Sequence, residues 1–150
     1  EPYLSYKTRV ENLVVAINAK HKEDGWEPIR YIDYKLKHEE LAAIYRGAEL
    51  AIISSVYDGM NLVAKEYVAS QVDEKGVLLL SEFAGAADGI PGAILINPYD
   101  TEGFADAIRD ALQMPASEKR KAMEASRSYI EENDIFKWVA AILGEVEKIR

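Results

Sequence analysis

Cysteine is absent from the 150 residues. Disulfides, thiolate metal sites and cysteine nucleophiles are therefore excluded. No apolar run approaches the ~20 residues that a membrane helix needs. The longest, such as Gly76-Val77-Leu78-Leu79-Leu80, are strand-sized. The first residues, Glu-Pro-Tyr-Leu-Ser-Tyr, lack a basic segment followed by an apolar one, so no signal peptide is expected. An initiating methionine is also missing, which points to a piece of a longer protein. A basic face is not visible either: the formal net charge is −8. Lys119-Arg120-Lys121 is a short basic run that reads as a solvated helix face. Nucleic acid and membrane are therefore not expected partners, because phosphate contacts dominate nucleic-acid affinity.

What is present is globular. Hydrophobic residues make up 49% and charged residues 29%, a balance that builds a core and not a disordered chain. The length suffices for one domain, expected to span residues 1–150. A cysteine-free acidic chain without a leader fits the cytoplasm.

Hydrophobic spacing organises the chain. Val10, Leu13, Val14 and Ile17 predict one buried face on a helix from about Pro2 to Lys22, ended by Gly25. Ile29 to Tyr34 is short, partly alternating and rich in β-branched and aromatic residues, and reads as a strand. Leu41, Ile44 and Tyr45 restore helical spacing from His38 to Ala48. Leu50-Ala51-Ile52-Ile53-Ser54 has the composition of a strand buried on both faces. Asn61 to Ser70 predicts a helix with Leu62, Val63, Tyr67 and Ala69 turned inward. Val77–Leu80 and Ala93–Ile96 are further buried strands, separated by the small, turn-rich stretch Ala84 to Gly92. Three helices close the chain, capped at Asp100 or Thr101, at Ser117 and at Asp134; the last carries Trp138, Ile142 and Val146. Alternating strands and helices imply an α/β fold: a Rossmann-like, mostly parallel sheet with helices on both faces. No internal repeat or low-complexity segment is seen.

In such a sheet, ligands bind beyond the C-terminal strand ends. One of these ends is rich in polar and turn residues: Ser54-Ser55-Val56-Tyr57-Asp58-Gly59-Met60-Asn61-Leu62-Val63-Ala64-Lys65-Glu66-Tyr67. It leads from a buried strand, through a turn with a glycine, into a helix. The first amides of that helix lack internal partners and the dipole is positive there, so the N–H groups near Asn61, Leu62 and Val63 suit a diphosphate. Gly59 lets the backbone approach a ligand closely. Asp58 precedes the helix and Glu66 follows eight positions later, a separation of up to ~12 Å at ~1.5 Å per residue. That is comparable to the span from sugar to ribose in a nucleotide sugar. One arrangement then serves three groups: Asp58 the sugar, the helix start the diphosphate and Glu66 the ribose diol. By spacing alone each residue also admits a plainer role. Asp58 can be a turn or cap residue, Glu66 the partner of a lysine on a solvated face, Asn61 a helix-start residue and Lys65 a surface lysine.

The segment Asp58-Gly59-Met60-Asn61-Leu62-Val63-Ala64-Lys65-Glu66-Tyr67-Val68-Ala69 is similar to the donor-binding segment of the trehalose-6-phosphate synthase family. The stretches from Gly76 to Ala87 and from Ala93 to Asp100 resemble the same family in the same order, as do the His38–Ala48 helix and Asn133-Asp134. The resemblance covers nearly the whole chain. It implies the C-terminal, incomplete half of a GT-B fold, in which a second domain, missing here, would bind a sugar-phosphate acceptor. The implied reaction is retaining transfer of glucose from UDP-glucose, or another nucleotide-glucose donor, to glucose 6-phosphate. By resemblance Asp58 is catalytic and holds the donor glucose together with the backbone of Gly59, Met60 and Asn61. Leu62 and Val63 hold the diphosphate, Glu66 the ribose, and Leu36 lies near the base. No metal or cofactor is expected. The leaving diphosphate would help to deprotonate the acceptor on the same face, and its developing charge would need preorganised donors.

Two departures stand out. Tyr57 replaces an arginine common in the family, which removes a positive charge beside the donor. The family's cations for the diphosphate lie on earlier strands that are absent, so this chain alone is not expected to transfer glucose. A glucosylglycerol-phosphate synthase, a non-catalytic nucleotide-binding module and a simple folding fragment remain alternatives. The resemblance also places Ile29–Tyr34 third and the remaining strands fourth to sixth in a 3-2-1-4-5-6 sheet. Strands one and two being absent, Ile29–Tyr34 would lack a neighbour. Leu50–Ser54 would present an open edge, which a companion piece or a second copy could cover.

Overall fold

The computed structural model describes residues 2–148. The expected single domain over 1–150 extends past them at both ends, and positions 1, 149 and 150 lie outside the described residues. These residues form two compact units divided between Leu36 and Lys37.

The first unit holds helix α1 (Pro2–His21) and an irregular tail. The helix is where its spacing places it, but its apolar stripe is not a buried face: Leu13 and Ile17 are exposed and Val10 and Val14 half-buried. A turn follows, with Gly25 at φ +79° and a bridge between Glu23 and Trp26. Ile29–Tyr34 forms no strand. A strand exists only if a second strand takes its N–H and C=O groups, and none among the described residues does. At Ile29 the Asn18 carboxamide substitutes: it donates to the Ile29 carbonyl at 2.8 Å and accepts from the Ile29 amide at 2.9 Å. Lys7 pairs with Asp33 at 3.0 Å.

The second unit runs α2 (His38–Gly47), β1 (Leu50–Ile53), α3 (Leu62–Ser70), β2 (Val77–Ser81), β3 (Ile94–Ile96), α4 (Thr101–Gln113), α5 (Ala116–Glu132) and α6 (Ile135–Lys148). The sheet is parallel, ordered β1-β2-β3, with Ile53 opposite Leu80 and Leu80 opposite Leu95. The central strand β2 is buried throughout and alternates between two layers. Leu78 and Leu80 pack with Ala64, Tyr67 and Val68 of α3 and Met123 of α5. Val77 and Leu79 face Phe104, Ala107, Ile108 and Ala111 of α4. Helices thus cover both faces of a mixed α/β unit, as the strand–helix alternation predicts.

Local details depart from expectation. On α3 the buried face is Ala64, Tyr67 and Val68; Leu62, Val63 and Ala69 point outward. Helix α5 starts at Ala116 after Pro115, so Ser117 lies inside its first turn and caps nothing. Asp100 caps α4 through the Gly103 amide at 3.0 Å, and Asp134 accepts from the Lys137 amide at 2.9 Å. The apolar residues of α6, Trp138, Ile142 and Val146 among them, are exposed. Only one edge of β1 is paired, and Ile52 there is exposed.

Candidate functional site

The site is built where β1 ends. The chain leaves the sheet at Ile53, crosses a polar loop and re-enters as α3. Two contacts tie this loop to the one that follows β2. Asp58 bridges Ala84 in a parallel sense, and the Gly85 amide donates to the Asp58 carbonyl at 2.8 Å. A Cβ on Gly85 would sit 2.1 Å from the Gly59 carbonyl oxygen, so only glycine lets the loops approach this closely.

The Asp58 side chain turns back onto its own loop. Oδ1 accepts from the amides of Met60 (3.1 Å) and Asn61 (2.8 Å), and Oδ2 from the side-chain amide of Asn61 (2.9 Å). The Met60 amide, then that of Asn61, hold the carboxyl below the usual carboxylate range, with partial burial opposing and the Asn61 side chain assisting. The group is a fixed anion near neutral pH. The sequence-level alternatives for Asp58, ligand or turn residue, therefore meet: it organises the turn and still lines a cavity of about 330 Å³ with Tyr57, Gly59, Glu82, Phe83 and Gly85. The Met60 and Asn61 amides, assigned by resemblance to the sugar, are engaged by Asp58.

Asn61 is buried, at 5% exposure, and adopts a left-handed conformation (φ 53°). Its Oδ1 accepts from the Ala64 amide at 2.9 Å. Of the first three amides of α3, only that of Ala64 is capped from within. Those of Leu62 and Val63 donate to no acceptor among the described residues. They lie at the positive end of the helix dipole, where an anion is favoured.

Glu66 does not share the Asp58 cavity. It lines a smaller recess of about 130 Å³ with His38, Leu41, Tyr45, Ala69 and Ser70, between α2 and α3. Burial, then the Glu66 charge, raises the Tyr45 phenol. Leu36 is half-buried in the first unit, which ends with it. Tyr57 is 97% exposed.

Sequence reasoning assigned no role to Glu82, Phe83, Gly85 or Asp88. The small-residue stretch after β2 was the available signal, but which of its residues meets Gly59 depends on the sheet. A cavity of about 460 Å³ at the opposite strand ends, lined by Arg46, Glu49, Lys75, Lys119 and Arg120, is less suited to a ligand. Its buried cation is taken: Lys119 pairs with Glu49 at 2.7 Å and donates to the Leu112 carbonyl at 3.3 Å. Arg46 is held by Asp73 at 3.0 Å. Among the described residues no group of three or more acidic, histidine or cysteine side chains is placed to hold a metal ion. No described helix is long and apolar enough to cross a membrane.

A parallel sheet with a glycine turn and unspent helix-start amides at its C-terminal edge is the architecture in which nucleotide-binding α/β domains hold anions. The chain belongs to glycosyltransferase family 20, whose pattern matches residues 1–148. It is 39% identical over 148 residues to alpha,alpha-trehalose-phosphate synthase [UDP-forming] A of Dictyostelium discoideum, covering 99% of this chain and 20% of that protein. An alpha,alpha-trehalose-phosphate synthase (UDP-forming) from Burkholderia xenovorans, solved in complex with glucose-6-phosphate, superposes with a TM-score of 0.93 at 36% identity, covering 98% of this chain and 32% of that one. A solved structure from E. coli bound with UDP-2-fluoro glucose gives a TM-score of 0.93 at 35% identity, covering 100% of this chain and 34% of that one. The chain thus spans between about a fifth and about a third of the length of the relatives it matches. Its sheet is an incomplete part of their GT-B fold.

Proposed function

We propose that residues 1–150 form a partial donor-binding domain of a retaining glucosyltransferase. Its reaction moves glucose from UDP-glucose to glucose 6-phosphate and releases UDP. The observation that carries this reading is the pair of unspent amides at Leu62 and Val63, beside an Asp58 carboxylate already oriented over a cavity. The names of the relatives, UDP-forming trehalose-phosphate synthases, support the choice of donor and product.

Each group has a physical task. Asp58 accepts a hydroxyl of the donor hexose, beside the turn of Gly59, Met60 and Asn61. The Leu62 and Val63 amides receive the diphosphate and stabilise the charge that grows on it as the glycosidic bond breaks. Glu66, in its own recess, accepts from the ribose, and Leu36 is assigned to the base by family resemblance alone. The acceptor sugar phosphate belongs to a domain outside these residues. The enzyme works in the cytoplasm, with neither nucleic acid nor membrane as a partner.

The test is turnover by the full-length protein carrying this chain, with glucose 6-phosphate and glycerol 3-phosphate as competing acceptors. Trehalose 6-phosphate and UDP are the expected products. Transfer to glycerol 3-phosphate would make it a glucosylglycerol-phosphate synthase, and UDP binding without any transfer would make it a non-catalytic module.

A further inference from the structure

Asn61 does more than a helix cap requires. A cap needs one oxygen on one amide, and the contact of Asn61 Oδ1 with the Ala64 amide at 2.9 Å supplies it. The other end of the same carboxamide, Nδ2, reaches Asp58 Oδ2 at 2.9 Å. The backbone of Asn61 is left-handed, which asparagine, aspartate and glycine tolerate best. Of those three, aspartate can cap but cannot donate, and glycine can do neither. Only asparagine meets all three demands, and its side chain sits almost wholly out of solvent at 5% exposure.

The consequence falls on Asp58. A carboxylate offers about four acceptor positions. Oδ1 is filled by the Met60 and Asn61 amides, and one position on Oδ2 by Asn61 Nδ2. One position on Oδ2 is left, on a side chain that lines the cavity beside Gly59 and Gly85. The Gly85 amide fixes the carbonyl of the same residue, so Asp58 is held at backbone and side chain alike.

We infer that Asn61 is a positioning residue: its buried carboxamide holds Asp58 Oδ2 so that this oxygen presents a single acceptor position to one hydroxyl of the donor hexose. The inference rests on the donor-site reading above and adds to it a named residue that acts only through Asp58. The Asn61 carboxamide is spent on Ala64 and Asp58, so its side chain acts on the sugar through Asp58.

The test is calorimetry on the full-length protein with UDP and with UDP-glucose, reading the ratio of the two affinities. Asn61→Asp keeps the left-handed turn and the cap on Ala64 but sets a second carboxylate against Oδ2. Near pH 8 the ratio should shift against UDP-glucose by about tenfold, the scale of a lost hydrogen bond to a charged group. The new charge also stands beside the Leu62 and Val63 amides and weakens both ligands through their shared diphosphate, so the ratio of the two affinities, and not the affinity for UDP, reports on Asp58. Two adjoining carboxylates cannot both ionise easily, so near pH 5 the pair takes up a proton, a donor to Oδ2 returns and the ratio recovers towards that of the wild type at the same pH, a comparison that removes the titration of UDP's own terminal phosphate. Asn61→Gly, which can neither donate nor titrate, should lose the ratio at both pH values. A merely structural defect would weaken both ligands alike and would not recover on protonation. If both Asn61 variants keep the wild-type ratio while Asp58→Ala loses it, Asn61 does not position Asp58, and the donor-site reading stands alone. If Asp58→Ala also keeps the ratio, the donor-site assignment of Asp58 fails and the inference fails with it.

Discussion

The Gly85 amide donates to the Asp58 carbonyl at 2.8 Å, and a methyl group on Gly85 would lie 2.1 Å from the carbonyl oxygen of the next residue, Gly59. Two loops that leave adjacent strands are thereby held at a separation that only glycine permits. Gly85→Ala must push the Asp58-Gly59 turn away, because the group it strikes is backbone. The cost of such overpacking is about 1–3 kcal/mol. A lowered thermal midpoint together with weakened UDP-glucose binding is expected; a variant that melts and binds like the wild type would show that the loops are free to part.

Glu66→Ala should weaken UDP binding in the full-length protein by about 1–3 kcal/mol, the range for hydrogen bonds to a charged group. The recess it lines with His38 and Leu41 is separate from the Asp58 cavity. The loss should therefore be similar for UDP and UDP-glucose, unlike that of Asp58→Ala. Unchanged UDP affinity in calorimetry would remove Glu66 from the site.

Tyr67 gives a pH signature of stability. It is wholly buried and donates to the Ala48 carbonyl at 3.3 Å. Burial, above all, pushes its phenol up to about 12, against about 10 in an unfolded chain. The folded state then holds a proton that the unfolded state has released. Its contribution is complete below about pH 10 and is lost as pH rises towards about 12. Tyr67→Phe should cost about 0.5–1.5 kcal/mol at neutral pH and flatten this alkaline limb in denaturant titrations. An unaltered alkaline limb in the variant would assign the loss to another group.

These 150 residues alone should not transfer glucose, because an acceptor domain and the cations expected upstream are not among them. Radiolabelled transfer by the purified chain, above a blank, would overturn this view of how the site is assembled.

The free edge of β1 leads to a statement about association. Leu50–Ile53 is paired on one side by β2, and Ile52 is exposed. Unpaired apolar edges recruit other strands. The 150-residue chain by itself should sediment as more than a monomer, and Ile52→Lys should reduce that association. A monomer at all concentrations would show the edge to be inert.

Much of this molecule was legible in contiguous residues. The alternation of apolar runs with helical spacing located β1, β2, β3, the first three helices and the starts of the last three to within a few residues, because residue spacing and turn chemistry are local properties. The turn proposed for the donor was visible for the same reason: Asp58, Gly59 and Asn61 stand together between a strand and a helix. The family resemblance then supplied the task proposed for this turn.

Tertiary structure decided the rest. Whether Ile29–Tyr34 is a strand depends on partners elsewhere in a sheet, and with none to hand its first residue is satisfied by Asn18 instead. Leu62 and Val63 read as core residues, but α3 turns Ala64, Tyr67 and Val68 to the sheet, since the direction of a helix face is set by what it packs on. Glu66 and Asp58 looked like two ends of one site along a helix, yet each opens into its own recess once α2 and the loop after β2 are in place. The sequence by itself determined which residues carry charge, donors and turns; the meeting of Gly85 with Gly59, and of Asn61 with Asp58 in a buried setting, came only from folding, because contacts between loops are specified by the sheet that brings them together.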